Sequence, residues 1–132
     1  MPVPEFVFRT MVRAADEWPV CGSRTNHLGV RPGVDIKVDG SGDVHPVSGG
    51  MSGAPDDPKK LPPHLRPPVL GGWGKLPVYR IRVSEVTHGL SVRRDSKYPR
   101  KHVFIEPSQT MALSGLQSLL CGDRAEWSEV VL

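Results

Sequence analysis

Alternating apolar and polar positions predict four strands, which lie at residues 5–11, 34–38, 77–86 and 102–107. In the first strand Phe6 and Phe8 face one side, whereas Val7 and Arg9 face the other. An arginine on such a strand either stays in solvent or points its guanidinium into a cleft, where its fork of donors suits a phosphate or a pair of ribose hydroxyls. Arg9 is therefore a candidate binding residue.

The last predicted strand carries a second group of polar side chains. Its period of two places His102, Phe104 and Glu106 on one face, with His102 and Glu106 about 13 Å apart along the strand. The imidazole and the carboxylate cannot touch at that distance, but both can face one cleft. His102 is thus either a hydrogen-bonded structural histidine or a catalytic one.

The remaining pattern indicates many short strands and few helices. The polar run 39–43 predicts a tight turn that pairs residues 34–38 with 44–47 in a hairpin. A final helix is capped by Ser108 or Thr110 and stopped by Gly122. We expect residues 1–132 to form one α+β domain.

The stretch 46–55 holds glycines and serines between two prolines, with Met51 as its one large apolar side chain. Gly49 and Gly50 lack Cβ atoms, so their backbone can adopt positive φ and can approach a flat ligand or another strand closely. The pair is either the floor beneath a bound ligand or an ordinary surface turn.

Prolines dominate residues 55–74, where their fixed φ and missing N–H groups exclude a helix or a central strand. We expect an ordered loop that wraps around the domain. The alternative is a docking segment for a partner protein, in which case the chain is a non-enzymatic interaction protein with an exposed apolar patch on this loop.

Composition narrows the classes of ligand. The net charge is +3, but only 6% of residues are aromatic, so the sequence lacks the basic stripe with interleaved aromatics that is typical of nucleic-acid binding. A small anionic ligand requires much less positive charge. Cys21 and Cys121 fit no metal-binding spacing, so no metal site is expected, and we interpret both as unpaired thiols.

The first residues show no basic segment followed by an apolar run, and no stretch reaches membrane-spanning length. We therefore expect the protein to act in a cytosol without contacting a membrane. If the protein is exported, the machinery that carries it reads no signal peptide.

Several of these segments, taken in order, resemble a known family: Phe8-Arg9, then residues 34–36, 49–52, 90–96 and 102–107 before a helix. They are similar to the NAD-dependent cytoplasmic toxins of the Tse class, which type VI secretion delivers between bacteria. Their fold is similar to that of ADP-ribosyltransferase toxins. The resemblance implies a compact α+β fold with two small facing β-sheets, NAD as the substrate, and a cognate immunity protein that neutralises the toxin.

The resemblance also implies roles for single residues. Arg9, Ser52 and His102 match the family's arginine, serine and histidine, and would line the dinucleotide cleft. Met51 stands where the family has a threonine, so one hydroxyl is missing. Glu106 is not part of the family pattern, but a carboxylate is the expected partner for the positive charge that develops on the ribose.

In this scheme Arg9 binds the pyrophosphate or a ribose edge, and the backbone of Gly49 and Gly50 meets the nicotinamide amide. Ser52 donates a hydrogen bond, and His102 orients a ribose hydroxyl or relays a proton. Whether ADP-ribose is transferred to a macromolecule or NAD is only hydrolysed stays open. A further alternative is a ribonuclease-like toxin that pairs His102 with another of the five histidines.

Overall fold

The computed structural model describes residues 1–132 and confirms the α+β class, with eight strands and one α-helix. The elements are β1 (Phe6–Thr10), β2 (Asp43–Val44), β3 (Met51–Pro55), β4 (Val78–Arg82), β5 (Leu90–Arg94), β6 (Val103–Pro107), β7 (Met111–Ala112), α1 (Leu113–Gly122) and β8 (Ser128–Glu129). Short 3-10 turns lie at Pro58–Lys60, Pro68–Leu70, Val83–Glu85 and Arg124–Glu126. None of the helices is long and apolar enough to cross a membrane.

The strands form two antiparallel sheets, one of six strands and one of two, and not the two small facing sheets that the resemblance implies. The large sheet has the order β5-β6-β3-β1-β4-β8, and the small one pairs β2 with β7. The predicted strands at 5–11, 77–86 and 102–107 are confirmed as β1, β4 and β6. Together with β3 they make up the four inner strands of the large sheet.

The large sheet packs on both faces, and Val7 and Phe8 lie on opposite faces as the alternation in β1 predicts. Val7 and Met11 belong to the main core, where they join the helix residues Leu116 and Leu120. Phe8 points to the other face and packs in a small second cluster with Leu61 of the proline-rich segment. That segment is therefore the expected wrapping loop, and it covers one face of the sheet.

β3 was not predicted as a strand, because its sequence is rich in glycine. It lies between β6 and β1, and Ala54 is almost completely buried. A Cβ atom on Gly53 would lie 2.3 Å from Val7 Cγ1, which is too close for any larger residue. Small residues are thus required here because neighbouring strands approach closely, not because the segment is a loop.

The predicted strand 34–38 and its hairpin with 44–47 are wrong. Residues 34–38 form turns and single bridges, in which Ile36 is buried in the core and Val34 is exposed. The turn at 39–43 does form, because Asp39 accepts from the backbone of Ser41 and Asp43. β2 pairs instead with β7, which lies far along the chain but next to β2 in the fold.

The helix ends at Gly122 as predicted, but it begins at Leu113 and neither proposed residue caps it. The Thr110 hydroxyl lies 2.8 Å from His45 Nδ1, and the two residues between Thr110 and the helix form β7.

The interpretation of the cysteines as free thiols is wrong. Cys21 and Cys121 form a disulfide, because the fold brings their Cα atoms within 5.6 Å although they lie 100 residues apart.

Candidate functional site

A cleft of about 1020 Å³ opens beside the middle of the large sheet. The β1–β3 ladder contains only two residue pairs, Val7–Pro55 and Phe8–Ala54. Beyond them Arg9 and Thr10 line the cleft on one side, and Ser52 and Gly53 on the other. The volume lies at the upper end of the range for small-molecule sites, about 300–1,000 Å³.

Three other segments complete the walls of this cleft. They are the loop residues Thr25, Asn26, Arg31 and Asp35, the proline-rich residues 59–66, and Tyr98, Lys101 and His102 at the start of β6. The cleft therefore joins parts of the chain that are far apart in sequence, and the wrapping loop supplies one entire wall.

Arg9 is anchored by backbone carbonyls of two of these walls. Its Nη1 donates to Ser52 O at 2.7 Å and its Nη2 donates to His27 O at 2.9 Å. Burial lowers the pKa of Arg9 to about 10, although the nearby Asp35 carboxylate counteracts part of this effect. The guanidinium remains a cation at neutral pH; both of its Nη atoms already donate to the chain, and its Nε is buried without a hydrogen-bond partner.

Ser52 and His102 lie on one face of the sheet at the cleft. Ser52 is the direct cross-strand partner of Phe104, and His102 precedes Phe104 by two residues. The two are thus diagonal neighbours with Cα atoms about 7–8 Å apart, which leaves room for a ligand group between their side chains. Arg9, Ser52 and His102 all line this single cleft.

Positive charge dominates the lining. The lysine and arginine side chains are Arg9, Arg31, Lys59, Lys60, Arg66 and Lys101, whereas Asp35 is the only carboxylate. Arg31 donates to both Asp35 oxygens, through Nε at 3.2 Å and through Nη2 at 2.9 Å. The single negative charge is therefore already paired, and the cleft favours an anionic ligand.

Glu106 shares the face of His102 and Phe104, as the period of two predicts, but it does not line the cleft. Its carboxylate is almost fully buried and accepts from Arg93 Nε at 3.0 Å and from Val47 N at 3.2 Å. The Arg93 guanidinium also lies over the Phe104 ring, 4.8 Å from its centre. This arrangement gives Glu106 a structural role, because it joins the 46–50 loop to the sheet.

The residues proposed to form a cofactor floor also lie away from the cleft. Gly49 has a φ of +108°, and a Cβ atom there would lie 2.2 Å from Asp35 O. A Cβ atom on Gly50 would lie 2.6 Å from Ile105 O, and Met51 is buried in the main core. The close approach that the paired glycines permit is therefore to other parts of the chain.

Sequence reasoning missed Asp95, which holds the imidazole of His102. Asp95 Oδ2 lies 3.0 Å from His102 Nδ1, and the His102 ring also packs edge-on against Phe104. The register of the β5–β6 hairpin pairs Arg94 with Val103, so Asp95 and His102 stand opposite each other at the next position. Nothing in the local pattern of residues 90–102 shows which residues of the two strands stand opposite each other, so this pair could not be inferred from the sequence.

His64 was likewise not singled out, although it lines the cleft together with His102. No cluster of three or more histidine, cysteine, aspartate or glutamate side chains is arranged to hold a metal ion.

Comparisons of this chain with family models, with curated proteins and with solved structures find no match.

Proposed function

We propose that this chain is an NAD-using toxin enzyme that breaks the nicotinamide–ribose bond in the cleft beside β1 and β3. The observation that carries the proposal is that Arg9, Ser52 and His102 line one strongly cationic cleft. A protein that only docks on a partner through its proline-rich loop does not require that convergence. The proposal includes an ADP-ribosyltransferase-like fold.

The charge distribution supports a ligand with a pyrophosphate. Ser52 O and His27 O hold the Arg9 guanidinium in a rigid position, and Lys101 and Arg31 line neighbouring walls of the cleft. Guanidinium groups suit phosphate oxygens because they donate two hydrogen bonds in parallel. Binding of the dinucleotide is therefore expected to weaken as the salt concentration rises.

The reaction releases one electron pair and one proton, and each needs an acceptor. The bond from ribose C1′ to the ring nitrogen breaks, and the pair leaves with nicotinamide, which becomes neutral. An acceptor hydroxyl or water attacks C1′ and loses a proton, which the His102 imidazole accepts. Ser52 stands diagonally across from His102, where its hydroxyl can orient a ribose oxygen or the acceptor.

Catalysis in this proposal depends on positioning more than on a free carboxylate. Glu106 is held by Arg93, and Asp35 is held by Arg31. Asp35 is the only carboxylate in the lining of the cleft, and Glu106 lies outside it. Orientation of the bound dinucleotide then supplies most of the acceleration.

The proposal extends to the setting in which the enzyme acts. We place its action in the cytosol of a recipient cell, with a cognate immunity protein that neutralises the toxin in the producing cell. An acidic surface on that partner would complement the cationic cleft. Co-purification of the two proteins from the producing cell, and loss of the complex when Arg31 and Lys101 are replaced by glutamate, would support this part.

The decisive experiment measures nicotinamide release from NAD by the purified chain, together with bacterial growth and cellular NAD on induction. We expect the wild type to consume NAD and to arrest growth, and Ser52→Ala and His102→Ala to do neither. Ser41→Ala and His88→Ala are matched controls, because both residues are exposed and lie outside the cleft. Unchanged NAD with good expression of the wild type would overturn the proposal.

A second candidate is a ribonuclease-like toxin, favoured by the presence of both His64 and His102 in the cationic cleft. Two histidines can act as base and acid on a phosphodiester. His64→Ala separates the two candidates, because it should abolish RNA cleavage and leave nicotinamide release unchanged. RNA binding that falls steeply with salt would accompany this activity.

A further inference from the structure

We propose that Asp95 is the positioning residue of His102, and that it holds the imidazole so that Nε2 presents a lone pair to the cleft. The inference deepens the proposed function and rests on it for the reaction, but the geometry can be tested without any turnover. It adds a residue that lies outside the cleft lining to the chemistry of the site.

The hydrogen bond between the two side chains fixes the direction of the ring. Asp95 Oδ2 lies 3.0 Å from His102 Nδ1, and the backbone N–H of Asp95 donates to His102 O at 2.9 Å. The Phe104 ring packs edge-on against the imidazole, with 4.6 Å between the ring centres. The imidazole is thus held by a carboxylate and by an aromatic ring.

The charge state of Asp95 fixes which nitrogen carries the proton. Asp95 Oδ1 accepts from the backbone N–H of Lys97 at 2.9 Å, and this bond, followed by the one from His102, lowers the pKa of Asp95. An ionised carboxylate only accepts hydrogen bonds, so Nδ1 of His102 must donate. In the neutral ring Nε2 is then unprotonated, and it has no partner within the chain.

A lone pair at Nε2 is what a general base needs. In the proposed reaction Nε2 takes the proton of the attacking acceptor while C1′ bonds to the acceptor oxygen and nicotinamide leaves with the electron pair. The imidazolium that forms is stabilised by the Asp95 charge, and it then releases its proton to solvent. His102 is the catalytic residue in this scheme, and Asp95 acts through it.

The test uses the variant Asp95→Asn. The amide oxygen of asparagine can still accept from Lys97 N, so the turn is retained, but the amide nitrogen now faces His102 Nδ1. Nδ1 must then accept, and the proton moves to Nε2. Asp43→Asn is the matched control, since Asp43 lies on β2 and outside the cleft.

Two measurements are made on both variants and on the wild type. Long-range ¹H–¹⁵N NMR reports the tautomer of His102, and we expect Nδ1–H in the wild type and Nε2–H in Asp95→Asn. In Asp95→Asn the kcat of nicotinamide release should fall by about 10²–10⁴-fold with little change in KM, because this is the usual contribution of a general base. Asp43→Asn should match the wild type in both readouts.

Either of two results would overturn the inference: an Nε2–H tautomer in the wild type, or a tautomer switch in Asp95→Asn with an unchanged rate. If the wild type releases no nicotinamide, the proposed function fails, and the NMR result by itself decides whether Asp95 positions the ring. The two failures are therefore distinguishable.

Discussion

Removal of the Cys21–Cys121 disulfide should destabilise the folded chain strongly. The bridge closes a loop of 100 residues, because it connects the loop before β2 to the last turn of α1. In the chain-entropy relation a loop of this length stabilises the fold by about 4.7 kcal/mol, whereas measured values for disulfides are more typically about 2–4 kcal/mol. The perturbation is the double variant Cys21→Ala/Cys121→Ala.

This free energy converts into a shift of the melting temperature. An unfolding entropy of about 2.1 cal/mol/K per residue gives roughly 280 cal/mol/K for the chain, so 1 kcal/mol corresponds to about 3.6 °C. We therefore expect the double variant to melt about 7–17 °C below the oxidised wild type. Trp127, which is buried, provides the fluorescence signal for unfolding.

The assay compares oxidised wild type, reduced wild type and the double variant. Reductant should lower the melting temperature of the wild type towards that of the variant and should leave the variant unchanged. Mass spectrometry after alkylation should find no free thiol in the oxidised protein. Two alkylated cysteines without reductant, or a double variant that melts with the oxidised wild type, would refute the reasoning.

Two further predictions concern buried carboxylates. Arg93→Met should lower the free energy of unfolding by about 3 kcal/mol, because it leaves the buried Glu106 carboxylate without its cation. Chemical denaturation measures the loss against Arg100→Met, an exposed control, and equal stability of the two variants would contradict it. Burial raises the pKa of Asp123, so the folded state retains that proton to higher pH than the unfolded state, and this contribution to stability falls as pH rises from about 4. Asp123→Asn lacks this dependence, so its stability relative to the wild type should increase from pH 3 to pH 7. Urea titrations at each pH measure both stabilities, and a stability difference that does not change with pH would count against the prediction.

The disulfide also bears on the conditions under which the proposed function should be tested. Such bridges form and persist in oxidising compartments and are rare in a reducing cytosol. A toxin that folds or passes through an oxidising space and then acts in a cytosol would experience both conditions. The reduced state of the wild type is thus the one whose NAD turnover matters most for the proposed function.

Much of the sheet could be predicted from the sequence because strand alternation is a local property. The period of two in β1, β4 and β6 was readable without knowledge of their partners, and it placed Val7 and Phe8 on opposite faces, as the structure has them. It also placed Arg9 on a strand and His102 next to one, since β6 begins at Val103, but it could not show that both residues border one cleft. The chain itself therefore determined the class of fold and the main candidate residues.

Tertiary contacts decided what the local pattern could not. β3 is a strand because it pairs with β1 and β6, and close packing between these strands requires the small Gly53. Residues 34–38 are not a strand although they alternate. Glu106 pairs with Arg93, and His102 pairs with Asp95. Hairpin register and burial select these partners, and neither can be inferred from the pattern of apolar and polar residues along the sequence. The cleft exists only where β1 and β3 cease to pair and a distant loop covers the gap, so its charge and shape follow from the fold as a whole.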